Sequence, residues 1–214
     1  MKRDVAIVGA GYVGLPLARV FADAGKSVLL VDVDPDRVAQ LNRGESYIED
    51  VLSETLRPMV EDGRIAATTD YGELREADAI LVALPTPLSR QREPDLRILI
   101  AASTEIAKHL RPGHLVVLES TTYPGTTREQ VQPVLEAGSG LLAGRDFHLA
   151  FSPERVDPGR EDWTTKTVTK VVGGIDEGST AAAVALYSSA IDVVHPVSSP
   201  EAAELTKLLE NIFR

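Results

Sequence analysis

The segment "VAIVGAGYVGLPLA" sets three glycines, Gly9, Gly11 and Gly14, between a short apolar run and a periodic apolar segment. No other stretch constrains the fold as strongly. Val5 to Val8 is continuously apolar and reads as a buried strand, while Val13 to Ala24 carries a helical period. In a strand-to-helix G-x-G-x-x-G turn each glycine has its own reason. The first permits a tight turn, the second leaves room for a pyrophosphate, and the third lets helix and strand approach closely. The amides at the helix start, with Tyr12 and Val13, are then placed to bind phosphate oxygens. The same glycines would also serve a plain packing turn, so the context has to decide.

The context is that of a parallel β-α-β unit. Gly25 closes the helix, "SVLLVD" reads as a second buried strand, and Asp34 with Pro35 opens another helix to about Leu41. Asp32, at the end of the second strand, is placed to accept hydrogen bonds from ribose hydroxyls. It would repel an added 2′-phosphate, which favours NAD over NADP. Arg37, one turn into the next helix, counts with these candidate cofactor contacts. The alternative makes Asp32 or Asp34 a helix cap, and Asp34, directly before Pro35, is the better cap.

The alternation continues along the chain. "ESYIEDVLSETLRPMVEDG" reads as mostly helical, followed by strands in "RIAATTD" and "ADAILVALP" and a helix from about Leu96 to Leu110. "GHLVVLES", "DFHLAFSPE", "KVVGG" and "IDVVHPV" read as further strands, separated by helical "GTTREQVQPVLEAG" and "DEGSTAAAVALYSSA". The expected fold is α/β: a Rossmann-like, doubly wound, mainly parallel sheet of about seven or eight strands, with helices on both faces. It spans residues 1–198. Residues 199–214 begin a long helix, "PEAAELTKLLENIFR", that stops in mid-pattern with no cap, so the chain is expected to be one part of a longer protein.

In such a sheet the carboxyl ends of the strands line one crevice. Four turn segments fall there: Leu84–Pro87, Glu119–Thr127, Ser152–Gly159 and His195–Pro200. Glu119, Ser120 and Thr121 are placed to face cofactor or substrate, and Glu154 is a candidate carboxylate near the chemistry. Caps and solvated loops are the plainer alternatives. Lys207 and Asn211 share one helix face, where they would stabilise charge on an alcohol oxygen or simply form a solvated surface. His109, His114, His148 and His195 lack any metal-ligand spacing, and no metal site is expected.

The bulk properties exclude other classes. The chain has 22 basic and 32 acidic residues, a net charge of −10 that disfavours non-specific nucleic-acid or anionic-membrane binding. There is no cysteine, so no disulfide or thiolate chemistry lies within these 214 residues. No run reaches the roughly 18 apolar residues of a membrane span, and a cytoplasmic location is expected.

Taken in order, "GAGYVGLPLA", "VDVDPDRVAQLNRGES", "PTPL…EPDL", "ESTTYPGTT", "SPERVDPG", "KVVGG" and "EAAELTKLLEN" resemble the N-terminal part of the UDP-glucose/GDP-mannose dehydrogenase family. The likeness covers essentially the whole chain, and "SPERVDPG" with "PTPL…EPDL" is closer to the branch acting on UDP-N-acetylhexosamines. The resemblance implies two NAD-dependent oxidations of a UDP-sugar C6 alcohol to the uronate, through a cysteine-bound thiohemiacetal and thioester, in polysaccharide biosynthesis. It implies that Gly9, Gly11, Gly14 and Asp32 hold NAD, with Pro85, Thr86 and Glu119 lining its site. Thr121 and Glu154 match positions that place and activate water, and Lys207 and Asn211 match a pair that stabilises oxygen charge. The nucleophilic cysteine and most of the sugar pocket would lie in a later domain, and the long helix would carry a homodimer interface. Tyr123 departs from part of the family, which has a smaller residue there. Two other readings stay open: an NAD-binding module without catalysis, and a β-hydroxyacid dehydrogenase, which shares the glycine turn and a Lys-x-x-x-Asn helix pair.

Overall fold

The structure, a computed structural model, describes residues 2–87, 94–155 and 168–213. β1 (Arg3–Val8) runs through the glycine turn into α1 (Gly14–Asp23). β2 (Val28–Val31), α2 (Pro35–Asn42), α3 (Ser53–Glu61) and β3 (Ile65–Thr68) follow. A 3-10 turn over Tyr71–Glu76 leads to β4 (Ala77–Val82), α4 (Arg97–Ala107) and β5 (Leu115–Leu118). A π-helical turn over Thr126–Val131 passes into α5 (Gln132–Ser139), then β6 (His148–Phe151), β7 (Lys170–Gly174), α6 (Glu177–Ser188), β8 (Val194–Pro196) and α7 (Pro200–Phe213).

The strands form one sheet in the order β3-β2-β1-β4-β5-β6-β7-β8. Every pairing is parallel except β6 with β7. Strand order therefore reverses between β1 and β4, and in a doubly wound sheet the crevice opens there, at the carboxyl ends. The register decides what reaches that edge. Val31, Val8, Val82, Leu118 and Phe151 stand in one row across five strands. The residues that follow them, Asp32, Gly9, Ala83, Glu119 and Ser152, consequently leave the sheet side by side.

Both faces of the sheet are covered, which explains apolar runs without alternation. Val5, Ile7 and Leu30 face one core with Leu15, Phe21 and Tyr187; Ala6, Val8 and Leu29 face the other with Leu99, Ile106 and Phe151. Each large side chain so buried contributes about 1.5–3 kcal/mol. Among the described residues no helix is long and apolar enough to cross a membrane.

Three elements differ from the sequence reading. Residues 45–52 are not helical: the Ser46 hydroxyl bonds the Ile48 amide and carbonyl, and Ser53 Oγ accepts from the Ser46 amide. Such local bonds compete with the helical ladder. The "GTTREQVQPVLEAG" helix begins as a wider π turn, because Pro133 has no N–H for the ordinary bond one turn back. The His195–Pro200 segment starts inside β8, which with β7 runs opposite to the other strands, so it leaves at the far end of the sheet and lines no part of the crevice cavity.

Candidate functional site

The glycine turn separates two kinds of requirement. Gly9 has φ +99°, and a Cβ on it would lie 2.5 Å from the Ala83 carbonyl oxygen. A Cβ on Gly14 would lie 1.8 Å from the Gly9 carbonyl oxygen, so α1 rests directly on the turn. Gly11 has neither constraint: its φ is not left-handed, and a Cβ there would meet nothing within 4 Å. Among the described residues nothing demands glycine at this position. Beside it, α1 has Val13 at its N-cap position, which offers no side-chain cap, and no acidic residue in its first turn. The free amides and the positive end of the helix dipole are thus left to whatever occupies the crevice.

At the end of β2, Asp32 Oδ2 accepts from the Ala10 amide at 2.9 Å and Oδ1 from the Asp34 amide at 3.0 Å. A carboxylate offers about four acceptor positions, so about two remain for a diol. Asp34 caps α2 by accepting from the Asp36 and Arg37 amides. Arg37 is paired with Asp34 at 3.4 Å and lies 5.5 Å over the Tyr47 ring. Tyr12 is 75% exposed beside the turn.

On the other side of β1 a cavity of about 270 Å³ opens between the strand ends. Its wall includes Val13, Pro85, Thr86, Glu119, Ser120, Thr121, Glu154 and Lys207, so eight residues singled out from sequence converge there. Two hydroxyls shape the rim: Ser120 Oγ accepts from the Leu84 amide at 3.0 Å, and Thr86 Oγ1 donates to the Thr121 carbonyl at 2.5 Å. Asn211 lies in α7, but its side chain falls outside the described residues, as do residues 88–93 and 156–167, which take in parts of the "PTPL…EPDL" and "SPERVDPG" motifs.

Below the cavity floor is a cluster the sequence did not reveal. Glu119 is 1% exposed; Lys170 Nζ donates to its Oε2 at 2.5 Å, and the Tyr187 hydroxyl donates to its Oε1. Lys170, itself 3% exposed, also lies 3.8 Å from Glu154 Oε2 and 5.1 Å over the Tyr187 ring. Burial pushes the Glu119 carboxyl up, against the pull of the Lys170 charge. Burial and the Glu119 charge push the Tyr187 phenol well up, so it remains a donor. Glu119 was expected to face a ligand directly. It does reach the cavity wall, but both its oxygens are engaged from behind, because β7 and α6 supply cations and hydroxyls at that depth.

α7 is fastened over the same edge. Glu204, fully buried, accepts from the Gly125 amide at 2.6 Å, the Thr127 amide at 2.9 Å and the Thr127 hydroxyl at 2.7 Å. It thereby caps the turn leading into α5, and Arg128 pairs with Glu201 beside it. One turn further along α7, Lys207 Nζ donates to the Glu154 carbonyl at 2.6 Å, and Arg155 pairs with Glu210. Lys170, Tyr187 and Glu204 were missed because each partner lies far away in sequence. Tyr47 was missed because its segment read as helix.

A profile described as the UDP-glucose/GDP-mannose dehydrogenase family, NAD binding domain, matches residues 3–191. The chain belongs to this family. It is 39% identical over its whole length to Protein CapL of Staphylococcus aureus, covering 50% of that protein. It is 36% identical to the UDP-N-acetyl-D-glucosamine 6-dehydrogenase of Pseudomonas aeruginosa, over 98% of this chain and 49% of that enzyme. The solved NDP-N-acetyl-D-galactosaminuronic acid dehydrogenase of Methanosarcina mazei Go1 superposes with a TM-score of 0.90 at 40% identity, covering 100% of this chain and 47% of that one. The chain thus spans about half the length of the relatives it matches. The likeness is to NAD-dependent dehydrogenases of nucleotide sugars, and these 214 residues contain no cysteine.

Proposed function

We propose that these residues act as an NAD-binding module that completes no oxidation alone, the cofactor-holding part of a nucleotide-sugar 6-dehydrogenase. The observation that carries this reading is the turn itself, where Gly9 and Gly14 answer to the protein and Gly11 answers to nothing in it. A glycine without an internal reason, beside an uncapped helix start, fits a pyrophosphate brought close to the backbone. In this reading Gly9, Gly11 and Gly14 shape the phosphate seat, and the Tyr12 and Val13 amides donate into it. Asp32 takes the ribose hydroxyls with Arg37 beside it, and Pro85, Thr86 and Glu119 bound the far half of the cofactor. Bound NAD would supply a hydride acceptor at that half.

The substrate side is a proposal of the same kind. Relatives are named for UDP-N-acetyl-D-glucosamine and UDP-N-acetyl-D-mannosamine, which supports a UDP-N-acetylhexosamine for the whole protein, with UDP-glucose the runner-up. Thr121 and Glu154 would orient and deprotonate water at the cavity edge, and Lys207 with Asn211 would steady charge on the sugar oxygen. The thiol these steps require must come from outside these residues. We take 1–198 as the cofactor domain and 199–214 as the start of a longer helix. Leu205 and Leu209, each 46% exposed, and Ile212, 75% exposed, then form an apolar face suited to a homodimer.

Calorimetric titration of the chain with NAD and NADP tests the cofactor reading, with Asp32→Ala as control. NAD should bind more tightly than NADP, and the control should lose that preference. Equal affinity for both in the wild type, or no binding at millimolar NAD, would overturn it.

A further inference from the structure

Ala10, at the centre of the glycine turn, is held by a side chain at each end. Its amide donates to Asp32 Oδ2 at 2.9 Å, and its carbonyl accepts from the Tyr47 hydroxyl at 2.7 Å. Tyr47 comes from the irregular segment before α3, 37 residues away. The peptide bond joining Ala10 to Gly11 is planar and trans, so its C=O and N–H point in opposite directions. Whatever fixes the Ala10 carbonyl therefore also fixes the aim of the Gly11 amide. We propose that Tyr47 is a positioning residue for the phosphate seat: by holding the Ala10 carbonyl it turns the Gly11 N–H away from itself as a donor to the pyrophosphate. This rests on the NAD-binding reading and adds to it a residue outside the glycine motif.

Two further observations fit the role. The Gly11 position is open: apart from its chain neighbours, no described residue comes within 4 Å of where a Cβ would stand, so a ligand can approach this peptide closely. Burial and the nearby Asp32 charge push the Tyr47 phenol up to about 12, which keeps it a donor throughout the neutral range. Arg37 lies over the Tyr47 ring, so the phenol is braced between the turn and α2. A free peptide here could rotate; one held at its oxygen is already aimed before the ligand arrives, which lowers the ordering cost of binding.

The test is Tyr47→Phe, which keeps the ring beneath Arg37 and deletes only the hydroxyl. NAD, ADP-ribose and adenosine are titrated against wild type and variant by NMR, following the Gly11 amide cross-peak, with urea unfolding to confirm that the variant folds. The variant should bind NAD and ADP-ribose about three- to tenfold more weakly, the worth of one hydrogen bond. Adenosine, which has no pyrophosphate, should bind both proteins equally. In the wild type ADP-ribose should shift the Gly11 peak strongly, and in the variant weakly. Equal loss for all three ligands, or no loss for any, would overturn the inference and leave Tyr47 a plain loop brace. If wild type binds neither NAD nor ADP-ribose, the cofactor reading fails and this inference falls with it. Should Tyr47→Phe unfold, the Gly11 peak response in wild type alone decides: an amide unmoved by ADP-ribose is not a phosphate donor.

Discussion

The two halves of the crevice are built from different materials. On the β1–β2 side the surface is backbone: a glycine turn, an uncapped helix start, and one carboxylate that touches the turn. On the β4–β7 side it is side chains, with Glu119 and Glu154 served by the buried Lys170 and by Lys207 from α7. Backbone donors keep their place under most substitutions, which suits an invariant group such as a pyrophosphate. Side-chain networks are adjustable, which suits chemistry that requires a particular charge at a particular depth, but every member depends on its partners. The two halves should therefore fail differently when altered.

The largest effect is expected from Lys170→Met. The substitution leaves Glu119 buried and without its cation, and breaking such a pair costs about 3–5 kcal/mol. Urea unfolding at neutral pH measures it. The pH dependence follows from the sign of the shift. Burial already lifts the Glu119 carboxyl above its ordinary value. A carboxyl with a raised folded-state pKa contributes its stability below its unfolded pKa and loses it as pH rises through the folded value. The deficit of Lys170→Met should thus be greatest near neutral pH and shrink as the pH falls into the ordinary carboxylate range. Combining it with Glu119→Leu should recover most of the loss at neutral pH, since an apolar pair often replaces a buried ion pair at little cost. A deficit that is flat with pH, or a double variant no better than the single, would remove this half's claim to be a charge network.

This asymmetry also explains what the sequence made legible. Glycines and strand runs are local signals, so β1, the turn, α1 and Asp32 could be read directly. The row of strand ends could be read too, because buried parallel strands are short apolar runs and their carboxyl ends are the residues that follow. Glu119 was placed at the correct edge, but its partners were not, since Lys170 lies 51 residues away and Tyr187 lies 68. A lysine closing the edge of "TVTK" before "VVGG" carries no mark of burial. Tyr47 was hidden by a helical composition that Ser46 and Ser53 override with local hydrogen bonds. Glu204 carries no local signal within α7, and only the packing of α7 against Gly125 and Thr127 gives it a role.

Next in size is Gly14→Ala, on the backbone side. Its Cβ would sit 1.8 Å from the Gly9 carbonyl oxygen, so helix and turn must part. Overpacking of this kind costs about 1–3 kcal/mol, and here the upper end is expected. A smaller loss, about 1–2 kcal/mol, is expected for Glu204→Ala, which strips the acceptor from two amides and a hydroxyl at the α5 entrance. Because Glu204 lies one turn before Lys207, this variant should also free α7. Faster amide exchange along α7 with unchanged protection in α1 would bear out the division between the halves, whereas uniform loosening would contradict it.

The smallest effect on stability belongs to Gly11→Ala, and it sharpens the comparison most. The residue has no left-handed φ and no neighbour within 4 Å of an added Cβ, so the fold should shift by less than about 0.5 kcal/mol. Ligand binding should respond in the opposite sense. The new methyl group would occupy the space through which a pyrophosphate reaches the turn, so NAD affinity should fall steeply, at least about tenfold, while the unfolding curve stays in place. Gly9→Ala and Gly14→Ala lose binding too, but only along with stability, because those glycines serve the protein first. A Gly11→Ala chain that binds NAD as well as wild type would mean that this opening is vacant for some other reason. One that loses stability instead would mean that the turn is tighter than its geometry says. Unchanged stability with lost binding is the combination that only a ligand-facing glycine produces.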